Sequence, residues 1–157
     1  MTDITPAQLK KAGIGALLAD LDNTLGRYGD ALPSEEVRAW ARSLGESGIG
    51  LALVSNNKSE ERVELFAQAL DAPFIARAGK PGEAGFLRAA GMLGREPGEC
   101  AVMGDQIWAD VLGARRAGMR AIYIEPVHLG NILYRLRNII ERPFICAGRR
   151  RGRRENL

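Results

Sequence analysis

Asp20 and Asp22 stand two residues apart at the end of a short apolar run, residues 15–19. If the chain leaves that run in a tight turn, the two carboxylates converge. One can then act as nucleophile and metal ligand, the other as an acid and afterwards a base. Asn23 and Thr24 are turn formers, and an Asx-rich turn alone would use the same residues. Ser55-Asn56-Asn57 follows a second apolar run. A hydroxyl and a backbone amide placed there can hold phosphate oxygens. Lys80, before Pro81, offers a fixed cation that steadies a nucleophilic carboxylate and phosphoryl charge. Asp105 and Asp110 share the stretch 104–110. One can bind a hard cation such as Mg2+, which takes oxygen ligands. The other can orient a metal-bound water or the lysine.

These residues need a scaffold that gathers them at one edge. Residues 15–19, 50–54, 73–76, 100–103 and 120–124 read as short strands. Residues 34–44, 59–70, 83–93 and 109–117 read as helices between them. Ser34 can cap the first helix, Glu35 and Glu36 suit its first turn, and Val37, Trp40, Ala41 and Leu44 share a face. The next helix turns Val63, Phe66, Ala67 and Leu70 inward. Gly118 closes the last. Short apolar runs alternating with helices predict βαβ units and an α/β fold whose parallel sheet is covered on both faces. Ligands of such sheets bind at the carboxyl ends of the strands. Asp20, Ser55 and Asp105 all fall at strand ends, and Lys80 lies just past the third.

The chain has 157 residues, enough for one domain with a core. Its two cysteines, Cys100 and Cys146, exclude a disulfide framework and a Cys-based zinc cluster. The single histidine, His128, excludes a His-rich metal site and sets Ser-His-Asp and Cys-His catalysis aside. No apolar run reaches the roughly 18 residues of a spanning helix. Met1-Thr2-Asp3 lacks the basic start of a signal peptide. The expected location is cytoplasmic. The net charge of +3 is unevenly spread. Residues 128–157 hold eight arginines against two glutamates, or +6, which leaves −3 for the rest.

The order Asp20-x-Asp22-x-Thr24, Ser55, Lys80, Gly104-Asp105 and Asp110 resembles the haloacid dehalogenase (HAD) phosphatase superfamily. The likeness runs from about Asp3 to Phe144. Asp3-Ile4-Thr5-Pro6, Asp20-Leu21-Asp22-Asn23-Thr24-Leu25, Ser55-Asn56-Asn57, Lys80-Pro81 and Gly104-Asp105-Gln106 look like the YqeG branch of its subfamily IIIA. That branch is similar to phosphatidylglycerophosphate phosphatases. The chain departs from it at Ala109, where Thr is usual, and in its short lead before Asp3.

The resemblance implies a Rossmann-like three-layer αβα sandwich with strand order 5-4-1-2-3. It implies Asp20 as the nucleophile that forms an aspartyl-phosphate and Asp22 as the acid/base. Ser55, the Asn56 amide and Lys80 would cradle the phosphoryl oxygens. Mg2+ would be held by Asp20, the Asp22 carbonyl and Asp105, with Asp110 beside it. HAD enzymes for small metabolites usually insert a cap domain. The intervals 22–55 and 55–80 are too short for a cap of about 60 residues with its own core.

Two regions are expected: a HAD core over 1–127, and an amphipathic helix with an arginine-rich tail over 128–157. Leu129, Ile132, Leu133, Leu136, Ile139 and Ile140 share one helical face. Arg149-Arg150-Arg151-Gly152-Arg153-Arg154 follows. An interfacial helix with a polybasic end would hold anionic lipid at the inner face of a membrane. A helix docked on its own core would use the same pattern. Nucleic acid is the main rival partner for the arginines. The expected function is a Mg2+-dependent phosphomonoesterase acting on phosphatidylglycerophosphate or a similar lipid phosphate. The alternatives are a HAD phosphatase for a nucleic-acid terminus or soluble ester, and a non-catalytic binding module.

Overall fold

The computed structural model describes residues 3–127. The predicted amphipathic helix and arginine cluster of 128–157 lie outside the described residues. The elements run α1 (Pro6–Lys11), β1 (Ala16–Ala19), α2 (Glu35–Glu46), β2 (Gly50–Val54), α3 (Glu60–Gln68), β3 (Phe74–Ile75), α4 (Ala84–Met92), β4 (Cys100–Gly104), α5 (Leu112–Arg116) and β5 (Arg120–Tyr123). The strands form one parallel sheet in the order β3-β2-β1-β4-β5, as expected.

Alternation along each strand sends side chains to opposite faces. Leu17, Ala19, Leu51, Leu53, Ala101 and Met103 pack with Leu9 of α1, Val37, Trp40 and Leu44 of α2, and Phe66 of α3. Ala16, Leu18, Ala52, Val54 and Val102 pack with Phe86 and Ala89 of α4 and Ala114 of α5. Helices therefore cover both faces and make three layers. Phe66 and Phe86 anchor the two interfaces and are fully buried. Truncating either to Ala would cost about 3–5 kcal/mol.

Local chemistry sets the ends of the elements. The Ser34 hydroxyl accepts from the Val37 amide and starts α2. Thr5 and Gln8 form a reciprocal capping box that starts α1. The sequence reading did not contain α1, which is six residues long and too short to show a helical period. Trp40 Nε1 donates to the Ile4 carbonyl at 2.8 Å and ties this first segment to α2. β3 is two residues long, shorter than expected. Helix α3 ends at Gln68, so Leu70 lies past it.

The main correction falls after β4. A single helix over 109–117 was expected. A π-helical turn, Ile107–Val111, comes first, and α5 is only five residues. Among the described residues no cap interrupts the core. One loop, α2 and β2 separate Asp22 from Ser55, and α3 and β3 separate Ser55 from Lys80.

Candidate active site

The register brings the predicted residues to one edge. β1 lies between β2 and β4, and Ala19 pairs with both Leu53 and Met103. The next residues along these strands lead to Asp20, Ser55 and Asp105. The Asp20 amide still donates to the Met103 carbonyl at 2.8 Å, which fixes the start of the turn. The Leu21 carbonyl then accepts from the amides of Thr24, Leu25 and Gly26. Asn23 takes φ +64°, a left-handed conformation that Asn tolerates. This tight turn is what the Asp-x-Asp spacing needs.

Lys80 reaches across to the strand ends. Its Nζ lies 2.5 Å from Asp20 Oδ1 and 2.7 Å from Asp110 Oδ1. Lys80 is only 7% exposed and Asp20 only 4%. The side chain of Asn56 holds the lysine's backbone from both sides: Nδ2 donates to the Lys80 carbonyl at 3.0 Å and Oδ1 accepts from the Lys80 amide at 2.8 Å. The sequence reading gave Asn56 a role through its backbone only. Its side chain adds a second function, placing the lysine.

Asp110 arrives by way of the π-helical turn. Its Oδ2 accepts from the Gln106 amide at 3.1 Å. The carboxylate folds back over the end of β4, where a Cβ on Gly104 would overlap it. Gly104 therefore serves close approach. Such π turns recur at functional sites because they aim a side chain that an α-helix would carry away.

Carboxylate oxygens of Asp20, Asp105 and Asp110 all lie within 4.8 Å of one another, and the three residues are buried. One ammonium faces three carboxylates. When all are ionised the cluster carries two uncompensated negative charges, which a divalent cation would neutralise. Asp20 Oδ2 is buried with no hydrogen-bond partner, although buried acceptors are rarely left so. The donors are all oxygen, as a hard cation such as Mg2+ prefers. The residues present thus fit such an ion.

The electrostatics agree. Burial pushes the Asp20 carboxyl up to about 7; the Lys80 ammonium pulls it down, while Asp110 and Asp105 push it up. Burial alone would lower Lys80, but the charges of Asp20 and Asp110 outweigh it and hold the ammonium above its ordinary value.

Asp22 faces α3. Its Oδ2 accepts from Asn57 Nδ2 at 2.9 Å, and its Oδ1 lies 2.8 Å from Arg62 Nη2. That second contact is a charge pairing without an aligned N–H, since Oδ1 counts no hydrogen bond. Arg62 Nε also donates to the Asp30 carbonyl at 2.8 Å, so the guanidinium ties the loop after β1 to α3. The sequence analysis left Arg62 inside the helix expected over 59–70, with no role. An arginine in the first turn, where acidic residues are favoured, was the available signal. Ser55 is buried, and its Oγ accepts from the Asn57 amide at 3.1 Å.

The predicted residues therefore fall into two groups. Asp20, Lys80, Asp105 and Asp110 form the buried cluster. Asp22, Ser55 and Asn56 border it through Asn57 and the Lys80 backbone. Such an arrangement can present a carboxylate nucleophile, a fixed cation, an oxygen-lined metal site and a second carboxylate for proton transfer.

Comparison with known proteins bears on this chemistry. A family model described as haloacid dehalogenase-like hydrolase matches residues 3–118. The chain is 36% identical over 150 residues to the probable phosphatase YqeG of Bacillus subtilis (strain 168), covering 95% of this chain and 87% of that protein. It is 28% identical over 95 residues to human N-acylneuraminate-9-phosphatase, covering 56% of this chain and 38% of that protein. In fold it is similar to the cobalt-bound deoxy-D-mannose-octulosonate 8-phosphate phosphatase of Haemophilus influenzae. The TM-score is 0.57 at 20% identity, over 85% of this chain and 90% of that one.

Proposed function

The chain belongs to the haloacid dehalogenase-like hydrolases and is a phosphatase, and from that premise we propose that it hydrolyses the phosphomonoester of a membrane-lipid headgroup, phosphatidylglycerophosphate or a close relative. The observation that carries the chemistry is the buried cluster of Asp20, Lys80, Asp105 and Asp110.

In this reading an Asp20 carboxylate oxygen forms a bond to phosphorus as the bond to the leaving alkoxide breaks. Asp22 gives its proton to that alkoxide. A water then attacks the aspartyl-phosphate, Asp22 takes the water's proton, and phosphate leaves with the Asp20 carboxylate restored. Lys80, the Ser55 hydroxyl and the Asn56 amide hold the phosphoryl oxygens in line. Asp20, Asp105 and the Asp22 carbonyl would hold Mg2+. Bound there, the ion supplies charge neutralisation for the phosphoryl group. Asp110 keeps Lys80 directed at the nucleophile.

The lipid assignment is supported by the surroundings of the centre. Tyr28 is 67% exposed on the loop after β1, and Trp108 is 52% exposed on the turn after β4; Leu32 is exposed as well. These loops leave the sheet at the edge that holds Asp20 and Asp105. Amphipathic aromatic rings favour the membrane–water interface. No helix among the described residues is long and apolar enough to cross a membrane. The reading is of a cytoplasmic enzyme that works at the inner face of the membrane, with the basic segment 128–157 as a further contact to anionic lipid.

The test is phosphate release from phosphatidylglycerophosphate vesicles, from 3′-phosphorylated oligonucleotide and from a small aryl phosphate, each with and without Mg2+. The vesicle substrate should be processed with the highest kcat/KM, and chelation should abolish turnover. Preference for the oligonucleotide would move the substrate to nucleic-acid ends.

A further inference from the structure

We propose that the groove lined by Asn56, Lys58, Arg77 and Gly79 is a second anion site. It would take a phosphodiester carried by the leaving-alcohol part of the substrate. The proposal rests on the phosphatase reading of the neighbouring centre and deepens it to a class of substrate: a phosphomonoester whose alcohol bears a second anion.

The groove and the phosphate cradle share a wall. Asn56 follows Ser55, and Gly79 precedes Lys80. The two bonds between the Asn56 side chain and the Lys80 backbone join the walls. The Arg77 amide donates to the Asn57 carbonyl at 3.3 Å and the Ala78 amide to the Ser55 carbonyl at 2.9 Å, so the two loops form one surface.

One cation of the groove, Arg77, is preorganised. Nε and Nη2 of Arg77 both donate to the Lys58 carbonyl at 3.2 Å, which fixes the plane of the guanidinium. Both residues are exposed. Among the described residues neither is paired with a carboxylate. Arg77 also adopts φ +48°, a left-handed conformation rarely taken by a long side chain. Such outliers persist where the surroundings enforce them and cluster at ligand clamps. The fixed guanidinium and the neighbouring Lys58 ammonium together suit the paired oxygens of a phosphodiester. A simple monoester would leave them without a partner, and the substrate would lose that binding energy.

The experiment compares glycerophosphoglycerophosphate, which has a diester and a monoester, with glycerol 3-phosphate, which has the monoester alone. The full chain is assayed as wild type, Lys58→Ala and Arg77→Gly; glycine accepts the positive φ, so the backbone is kept. The wild type should favour the bis-anionic ester in kcat/KM. Each substitution should cut that preference about tenfold through KM, the worth of one charge-assisted hydrogen bond. Calorimetric titration with glycerophosphoglycerol, a diester with no monoester, reads the groove without turnover. Its affinity should fall about tenfold in each variant by the same reasoning. No preference in the wild type, or a preference and diester affinity equal in all three proteins, would overturn the proposal. Diester binding that depends on Lys58 and Arg77, in a protein that releases no phosphate, would uphold the groove and defeat the phosphatase premise. A preference for the soluble bis-anionic ester without activity on vesicles would uphold the groove and defeat the lipid assignment.

Discussion

Asp20 and Asp22 differ in what surrounds them, and each carries a different task in the proposed reaction. Asp20 touches a buried ammonium and two acidic neighbours; Asp22 touches Asn57 and Arg62. Asp22→Asn should lower turnover by about 10²–10⁴-fold, the usual contribution of a positioned proton donor. The loss should shrink for aryl esters, whose leaving groups need little protonation. Arg62→Ala should repeat that leaving-group dependence in weaker form and add little in an Asp22→Asn background, as a double-mutant cycle would reveal. Equal losses for alkyl and aryl esters would assign Arg62 to folding alone. The Asp20 carboxyl sits at about 7, far above its ordinary 3.8. Between pH 3.8 and about 7 the folded, metal-free protein therefore keeps a proton that the unfolded chain has lost. That contribution to stability declines as pH rises from 3.8 to about 7. A cation must displace the same proton, so Mg2+ affinity should rise with pH up to about 7 and then level off. Calorimetry in buffers of different ionisation enthalpy should detect proton release at pH 6 and none at pH 8.5, a bracket set about that value. Proton uptake, or none at either pH, would contradict the placement of the ion on Asp20.

At the scale of the element, the π-helical turn Ile107–Val111 is the part on which the centre depends and which the sequence concealed. The strands were legible because short apolar runs ended in polar residues, and the strand ends alone located Asp20, Ser55 and Asp105. Lys80 was legible by its position after the third strand. The π turn was not: residues 109–117 read as one uninterrupted helix, and a local widening of the backbone leaves no mark in the residue pattern. Nor was the grip of Asn56 on Lys80, because a side chain that bonds a backbone 24 residues away follows from tertiary packing. The turn makes a prediction at Gly104. Gly104→Ala places a methyl group where the Asp110 carboxylate lies. We expect destabilisation of about 1–3 kcal/mol by thermal melting, as for other overpacked sites, and a large loss of turnover as Asp110 is moved off Lys80. A fully active Gly104→Ala enzyme would show that Asp110 need not lie over β4.

For the whole molecule, the uncapped core leaves substrate selection to what lies around the centre. The exposed Tyr28, Leu32 and Trp108 on the loops beside it and the basic segment 128–157 are the proposed membrane contacts. Removing residues 145–157 takes away five of the eight arginines in that segment. We expect little change in aryl phosphate hydrolysis and a sharp fall on anionic vesicles. High salt should mimic the truncation, since screening acts within about 8 Å at physiological ionic strength. Full vesicle activity after truncation would leave docking to the core alone. The central claim is that Asp20 forms a covalent phosphoenzyme. Its most direct test is rapid acid quench of the enzyme turning over radiolabelled phosphomonoester with Mg2+, followed by peptide mapping. The label should be found on Asp20 and be missing from a folded Asp20→Asn variant; label on Asp22, or turnover by the Asp20→Asn protein, would contradict the account.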